Sequence, residues 1–406
     1  MGQIIVGIDI GTSKVSAVIG QIDKENQLEI FGFGMEQCSG VKKGVIVDID
    51  STSNSIRSAV KKAESMANMK VGSAYVNING NQTTVIKQRE FISISNENRE
   101  ITRKDVDKLL NSARSLDIPD DRQIIDIVPI QFIVDGYDEI HDPVGMIGSK
   151  LEVDADIIVG KITSVQNIVK SMERANLKVD GLIVDALATS RIALTQDEME
   201  MGVVLIDIGG GITDISVFRN KNMIFNDSLL VGGDHITSDV SIGLKIPFSE
   251  AEKIKREYEL ALTSLIKNDQ EVTVIDVDEK KRKTVRVSEV VEIIEARVQE
   301  IFSLSYDILS QSDLKGPLPA GIVLAGAGIS YVDGSRQISN EVFDMNVRVA
   351  SYKWDKASKA EYATASGIIK FVQSHSRGND FGSEVKAQKS PKKEGGFFSR
   401  ISRFFV

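Results

Sequence analysis

The sequence predicts an α/β protein of two lobes, each built around its own glycine-turn hairpin. Three observations carry that reading. Residues 5–14 run I-V-G-I-D-I-G-T-S-K, and residues 204–218 run V-L-I-D-I-G-G-G-I-T-D-I-S-V-F, so one unit occurs twice. Each copy is a β-branched run, a strand-end aspartate, a glycine turn and a second apolar run. A third glycine turn, A-G-A-G at 325–328, follows a further strand-like run at 321–324. Finally, 406 residues are more than one hydrophobic core usually serves.

The chemistry of the repeated unit points to phosphate. Glycines let the backbone turn tightly and bring its N–H groups against phosphate oxygens. Asp9 and Asp207, at the two strand mouths, suit magnesium held through its waters, since that ion favours one or two carboxylates plus phosphate oxygens. Two such hairpins facing each other grip one nucleotide from both sides. No G-x-x-x-x-G-K-[ST] is present, and no G-x-G-x-x-G opens a helix after the first strand. A P-loop enzyme and a dinucleotide-binding domain are both disfavoured.

Composition narrows the class further. Cys38 is the only cysteine, so no internal disulfide forms and a reducing compartment is expected. No run of eighteen apolar residues exists, and the N-terminus leads straight into a strand, so neither a spanning helix nor a signal peptide is expected. His141, His235 and His375 are scattered, against a histidine metal site; His235 reads as surface or adenine-side packing. The net charge of −9 is uneven. Residues 376–406 carry seven Lys or Arg against three acids, a tail of +4 on a body of −13. An acidic body argues against nucleic-acid binding, and a basic tail suggests a local anionic partner.

In chain order, strands are expected at 4–8, 15–19 and 28–34. A helix over 51–66 follows, with Ile56, Ala59, Val60 and Ala63 on one face. Residues 81–162 read as a small α+β insert. It holds a strand near 90–95, a helix capped by Thr102 with Val106, Leu109, Leu110 and Ala113 inward, and a β-rich run at 124–134. Pro129 in that run suggests an edge strand or a bulge. A helix at 163–176 and a strand at 181–184 return to the first lobe. Past the second hairpin come a helix at 249–262, strands at 272–277 and 284–287, and a long helix from Ser288. That last helix buries Val291, Ile294, Val298 and Ile301. Beyond Val372 the apolar pattern stops, and 374–395 reads as a disordered linker.

The order of hairpin, second hairpin and glycine turn resembles the actin/Hsp70/sugar-kinase ATPase superfamily. G-V-K-K-G-V-I-V-D-I-D at 40–50, D-P-V-G-M-I-G-S-K-L at 142–151 and the tail look specifically like the FtsA family of bacterial actin-like cell-division proteins. The resemblance covers essentially the whole chain. It implies an actin-like ATPase (duplicated RNase H-like) two-lobed fold with a small α+β insert in the first lobe and a C-terminal amphipathic helix. The implied domains are a first-lobe core at 1–80 and 163–195 and the insert at 81–162. A second-lobe core at 196–231 and 305–373 carries its own insert at 232–304. The linker at 374–395 and the amphipathic helix at 396–406 complete the chain.

The resemblance also implies a site. Asp9, Gly11, Thr12, Ser13 and Lys14 match the family's first phosphate loop; Asp207, Gly209, Gly210, Gly211, Thr213 and Asp214 match the second. Gly232, Gly233 and Asp234 match its Gly-Gly turn, Glu252 and Lys255 its adenosine-side helix, and Gly326 and Gly328 its adenosine glycine turn. Ala327 stands where the family usually has glycine, and Ile212 replaces a common threonine. Asp185 begins D-A-L-A-T where relatives often have Glu-Pro-Leu-Ala, and reads either as a water-orienting carboxylate or as the cap of the next helix. ATP and magnesium are the implied ligands, with weak hydrolysis or none.

Three readings of function follow. One is a cytoskeletal adaptor that polymerises, lies on the cytoplasmic face of the membrane at the septum, anchors FtsZ and recruits later division proteins. The others are a PilM-like pilus-assembly adaptor and a sugar or acetate kinase of the same superfamily. The tail favours the first. Wound as a helix, Phe397, Phe398, Ile401, Phe404 and Phe405 form one apolar face, with Arg400 and Arg403 on the other, as suits anionic lipid. A kinase has no use for such a segment, and no second catalytic acid stands out in the first lobe.

Overall fold

The computed structural model describes residues 3–23, 25, 27–277, 281–352 and 359–378. The first lobe opens with a meander of β1 (Ile5–Ile10), β2 (Lys14–Ile22) and β3 (Leu28–Gln37). A small hairpin, β4 (Val41–Lys42) and β5 (Val45–Ile46), leads into α1 (Ile49–Ala67), and the chain returns as β6 (Ser73–Ile78). Asp48 caps α1 by accepting the Ser51 N–H at 3.0 Å, and Asn68 ends it in the left-handed region. Ile56, Ala59, Val60 and Ala63 are all buried, as the helical period requires. Gly32 and Gly34 let α1 lie against β3: a Cβ on either would sit 2.2 Å from a carbonyl oxygen of α1.

The insert then branches off as β7 (Thr83–Ser93), α2 (Arg103–Ala113), β8 (Arg122–Val134), β9 (Tyr137–Ile140) and β10 (Lys150–Lys161). Its antiparallel sheet runs β7-β10-β8-β9 and has its own core with α2, built on Leu109, Leu151, Val153 and Ile157. The Asp105 carboxylate accepts the Thr102 N–H at 2.9 Å and its hydroxyl at 2.6 Å, fixing the start of α2. Pro129 sits at a bulge in an internal strand: Gln131 faces Asp154 while Pro129 faces Ala155. Beyond it, β9 reaches β8 only at Phe132 and Val134.

The chain re-enters the first lobe through α3 (Ile162–Arg174) and β11 (Lys178–Val184). The finished sheet runs β11-β6-β1-β2-β3, with β11, β6 and β1 parallel. Next, α4 (Asp185–Ala193) and α5 (Gln196–Met201) lead to the second lobe. There β12 (Val203–Ile208), β13 (Thr213–Arg219) and β14 (Asn222–Leu229) form another meander, followed by α6 (Gly233–Leu244) and α7 (Phe248–Tyr258). The hairpin β15 (Glu271–Ile275) and β16 (Arg282–Arg286) precedes α8 (Val287–Ser310), β17 (Ile322–Ala325), α9 (Ser335–Phe343) and β18 (Val347–Val349). The second sheet runs β14-β13-β12-β17-β18: three antiparallel strands, then two parallel ones. That is the order of the first sheet, so the lobes are two copies of one plan.

Two differences from the sequence reading go beyond small shifts at element ends. α7 stops at Tyr258, short of 262. Glu259 is in the left-handed region, and its carbonyl accepts the Asp333 N–H at 2.6 Å. The last helix, α10 (Ala363–Gly378), runs into the stretch read as linker, and it packs on the first lobe rather than the second. Its Ile368, Ile369, Phe371 and Val372 belong to the first lobe's core. Close approach requires glycine on both sides: a Cβ on Gly7 would lie 2.1 Å from the Ala365 oxygen, and one on Gly367 2.0 Å from the Ala188 oxygen. The rest of the linker, from 379, and the amphipathic segment 396–406 lie outside the described residues.

Candidate functional site

The two hairpins close their turns in the same way. Gly11 N–H donates to the Lys14 oxygen and Gly209 N–H to the Ile212 oxygen, each at 2.9 Å. The turns meet across the cleft between the lobes. A Cβ on Gly210 would lie 1.8 Å from Ser13 Oγ, and one on Gly211 2.7 Å from Thr12 Cγ2, so a side chain at either position would have to displace the Ser13 or Thr12 side chain. Ser13 Oγ also donates to Asp234 Oδ2 at 2.6 Å, joining the first turn to the N-terminus of α6.

The remaining glycines brace the second turn. Gly233 N–H donates to the Gly209 oxygen at 2.9 Å and Asp234 N–H to the Gly210 oxygen at 2.8 Å. Gly232 packs under both, where a Cβ would lie 2.7 Å from either oxygen. Gly328 N–H donates to the Ile208 oxygen at 2.8 Å. Gly326, at φ +88°, leaves room for Asp207, whose Oδ1 would be 2.3 Å from a Cβ there.

Four carboxylates gather at the base of the cleft: Asp9, Asp185, Asp207 and Asp214. Burial pushes Asp9 up to about 7; Lys14 opposes the shift and Asp207 adds to it. Burial likewise pushes Asp214 up to about 7, opposed by the Ser228 hydroxyl and reinforced by Asp207. Asp207 is raised by burial against the pull of Thr189 and Lys14. Asp185 stands well above the usual carboxylate range, through burial first and then the charges of Asp214 and Asp9. Lys14 faces this cluster; burial lowers its pKa while Glu361 and Asp9 hold it up.

Two asparagines that the sequence reading missed position the cluster. Asn77 and Asn79 alternate along the end of β6, so both face the cleft. Asn77 donates to Asp9 Oδ1 at 2.9 Å and accepts the Ile10 N–H at 2.6 Å. Asn79 donates to Asp185 Oδ2 at 3.0 Å, leaving Asp185 Oδ1 buried without a partner. Asp185 is the first residue of α4, and Val184 is the N-cap. The N-I-N alternation just before Gly80 was the signal available.

The four carboxylates around the Lys14 ammonium make an acidic floor that a bound cation would suit. Among the described residues no three His, Cys, Asp or Glu side chains converge to ligate a metal directly. Asp9 and Asp207, at the mouths of the two strands, are oxygen donors of the kind that a hydrated magnesium takes.

On the far side of the cleft, Lys255 is buried. It donates to Thr237 Oγ1 at 2.6 Å and the Gly233 oxygen at 3.1 Å, and pairs with Glu252 at 2.6 Å. Glu252 holds Lys255, Arg256 and Thr237 and does not line the cleft. Thr213 is also absent from the lining: fully buried, it donates to the Val231 oxygen at 2.8 Å. Gly232 supports the turn from behind. His235 accepts the Gly232 N–H through Nδ1 at 3.1 Å and so steadies the start of α6. Tyr331, Glu361 and Thr364 also line the cleft and were not expected from sequence.

Two lobes of one topology, with facing glycine turns and a carboxylate cluster between them, define the actin-like ATPase fold class. Solved structures share that fold. MreB 5 of Spiroplasma citri bound to AMPPNP has a TM-score of 0.54 at 14% identity, covering 92% of this chain and 97% of that one. The PilM–PilN type IV pilus biogenesis complex has a TM-score of 0.56 at 13% identity, over 92% and 98%. The MamK double helical filament has a TM-score of 0.52 at 12% identity, over 91% and 98%.

Sequence comparison goes beyond fold. The family model described as cell division protein FtsA matches residues 204–367, and that for the SHS2 domain inserted in FtsA matches residues 80–159. FtsA of Bacillus subtilis (strain 168) is 37% identical over 377 residues, 92% of this chain and 84% of that protein. FtsA of Pseudomonas aeruginosa (strain PAO1) is 33% identical over 409 residues, 99% and 97%. The chain belongs to the FtsA family of cell division proteins. No helix among the described residues is long and apolar enough to cross a membrane.

Proposed function

We propose that the cleft binds ATP with magnesium and that nucleotide-bound protomers assemble into a membrane-attached filament at the division septum. The observation that supports it most is the pair of facing hairpins, whose turns come so close that a Cβ on Gly210 or Gly211 would meet the Ser13 or Thr12 side chain. Backbone N–H groups of both turns and the Lys14 ammonium bind the phosphates. Asp9 and Asp207 hold magnesium through its waters, and the ion offsets the carboxylate charge. Lys255 and the Gly326–Gly328 turn bound the nucleoside. Asp185, which accepts from Asn79, is placed to orient the attacking water, and hydrolysis is weak or absent.

Family membership supports the cellular part of this reading. The protein associates with itself, anchors FtsZ to the cytoplasmic face of the membrane through residues 396–406, and recruits later division proteins through the insert. The filament formed by MamK, a fold neighbour, supports self-association. Calorimetric titration of ATP with and without magnesium tests the site. Asp207→Asn should lose most of the magnesium-dependent affinity while staying folded. Unchanged binding by that variant would overturn the assignment.

A further inference from the structure

Arg256 and Glu361 come from opposite lobes and meet at the cleft. Arg256 lies in the last turn of α7; Glu361 lies in the 3-10 turn Ala360–Tyr362 that leads into α10. Arg256 Nη1 is 3.7 Å from Glu361 Oε1. Each partner is held from its own side. Arg256 Nε donates to Glu252 Oε1 at 2.6 Å, and its guanidinium lies 4.8 Å from the centre of the Tyr331 ring. The Glu361 oxygen accepts from Ser16 Oγ at 2.7 Å, and the neighbouring Tyr362 ring packs edge-on against Phe33 at 4.9 Å.

We propose that Arg256 and Glu361 form a clasp between the lobes that sets how fast nucleotide enters and leaves. This rests on the reading of the cleft as an ATP site. Glu361 and Tyr331 line the same cleft as the phosphate turns, so the pair joins the lobes beside the nucleotide. The contact suits a gate rather than a weld. It is longer than a hydrogen bond, and the Arg256 side chain is 46% exposed, so opening it exposes little apolar surface. Ser13 and Asp234 join the lobes deeper, at the phosphate turns, where bound phosphate itself would act. The clasp is the link that opens without disturbing those turns.

The test is stopped-flow binding and release of a fluorescent ATP analogue with magnesium, on the full chain. Arg256→Gln and Glu361→Gln should each quicken both entry and release by about threefold to fivefold, the range a partly exposed ion pair supports. The double variant should be no faster than either single one. Arg256→Lys keeps the charge and should stay near the wild-type rates, which separates loss of the ion pair from loss of fold. Failure of the wild-type chain to bind the analogue would defeat the ATP reading itself. Normal wild-type binding with unchanged rates in the variants, or with singles whose effects multiply, would overturn the clasp alone. Faster release with unchanged entry would also overturn it, by making Arg256 a nucleotide contact instead.

Discussion

Asp207 and Asp214 face each other directly across the antiparallel pair β12–β13, two buried carboxylates in cross-strand register. In the first hairpin the equivalent pair is Asp9 and Ser16. Like charges in such register repel, and burial removes the water that would screen them. This hairpin therefore gives up stability for a site that a cation restores.

Removing one charge should reveal that strain. Asp214 rises from 3.8 to about 7 on folding. Between those values the folded state holds a proton that the unfolded chain has released. Nucleotide-free stability therefore falls as pH rises through this window and levels off above it. Asp214→Asn should be more stable than wild type at pH 8, by up to about 4 kcal/mol, and equal to it near pH 4. Calorimetric melting of both proteins at the two pH values checks this. An equal gain at both would point to packing instead.

Gly210→Ala should push the Ser13 hydroxyl off Asp234 and loosen the contact between the two turns, since its Cβ would meet Ser13 Oγ at 1.8 Å. We expect at least a tenfold loss of ATP affinity, measured by calorimetry. Gly72→Ala meets nothing within 4 Å and serves as the control, with affinity unchanged.

The insert should be separable from the nucleotide site. It has its own core, and Thr83 and Gly160 stand opposite each other where it leaves and rejoins the first lobe. Replacing residues 83–160 with a short glycine linker should leave ATP affinity within about threefold and impair filament formation seen by electron microscopy. Loss of ATP binding in a folded variant would show that the insert shapes the cleft.

The segment 396–406 should act as a reversible membrane anchor. A helix of about eleven residues is marginal in water, and burying each Phe yields about 1.5–3 kcal/mol against about 1–2 for ordering each residue. Basic residues add about 1 kcal/mol each near anionic lipid. One tail binds weakly, and many on a filament bind firmly through effective concentration. Phe404→Glu should release the protein from anionic vesicles in co-sedimentation and leave ATP binding unaltered.

What the sequence determined by itself was local. The repeated run of strand, aspartate and glycine turn marked both hairpins, because tight turns and strand ends are specified by neighbouring residues. The buried faces of α1 and α2 followed from helical spacing, and Pro129 marked its strand as an edge or a bulged one. Tertiary structure alone decided which groups met across the chain. Periodicity says which face of an element is apolar, not which element covers it, so α10 was expected in the lobe it does not join. Strand alternation put Asn77 and Asn79 on one face, but only the parallel pairing of β6 with β1 and β11 brought them to Asp9 and Asp185. Thr213 left the cleft because its hydroxyl found the Val231 oxygen. Arg256 and Glu361, over a hundred positions apart in sequence, were joined only when the two lobes closed on each other.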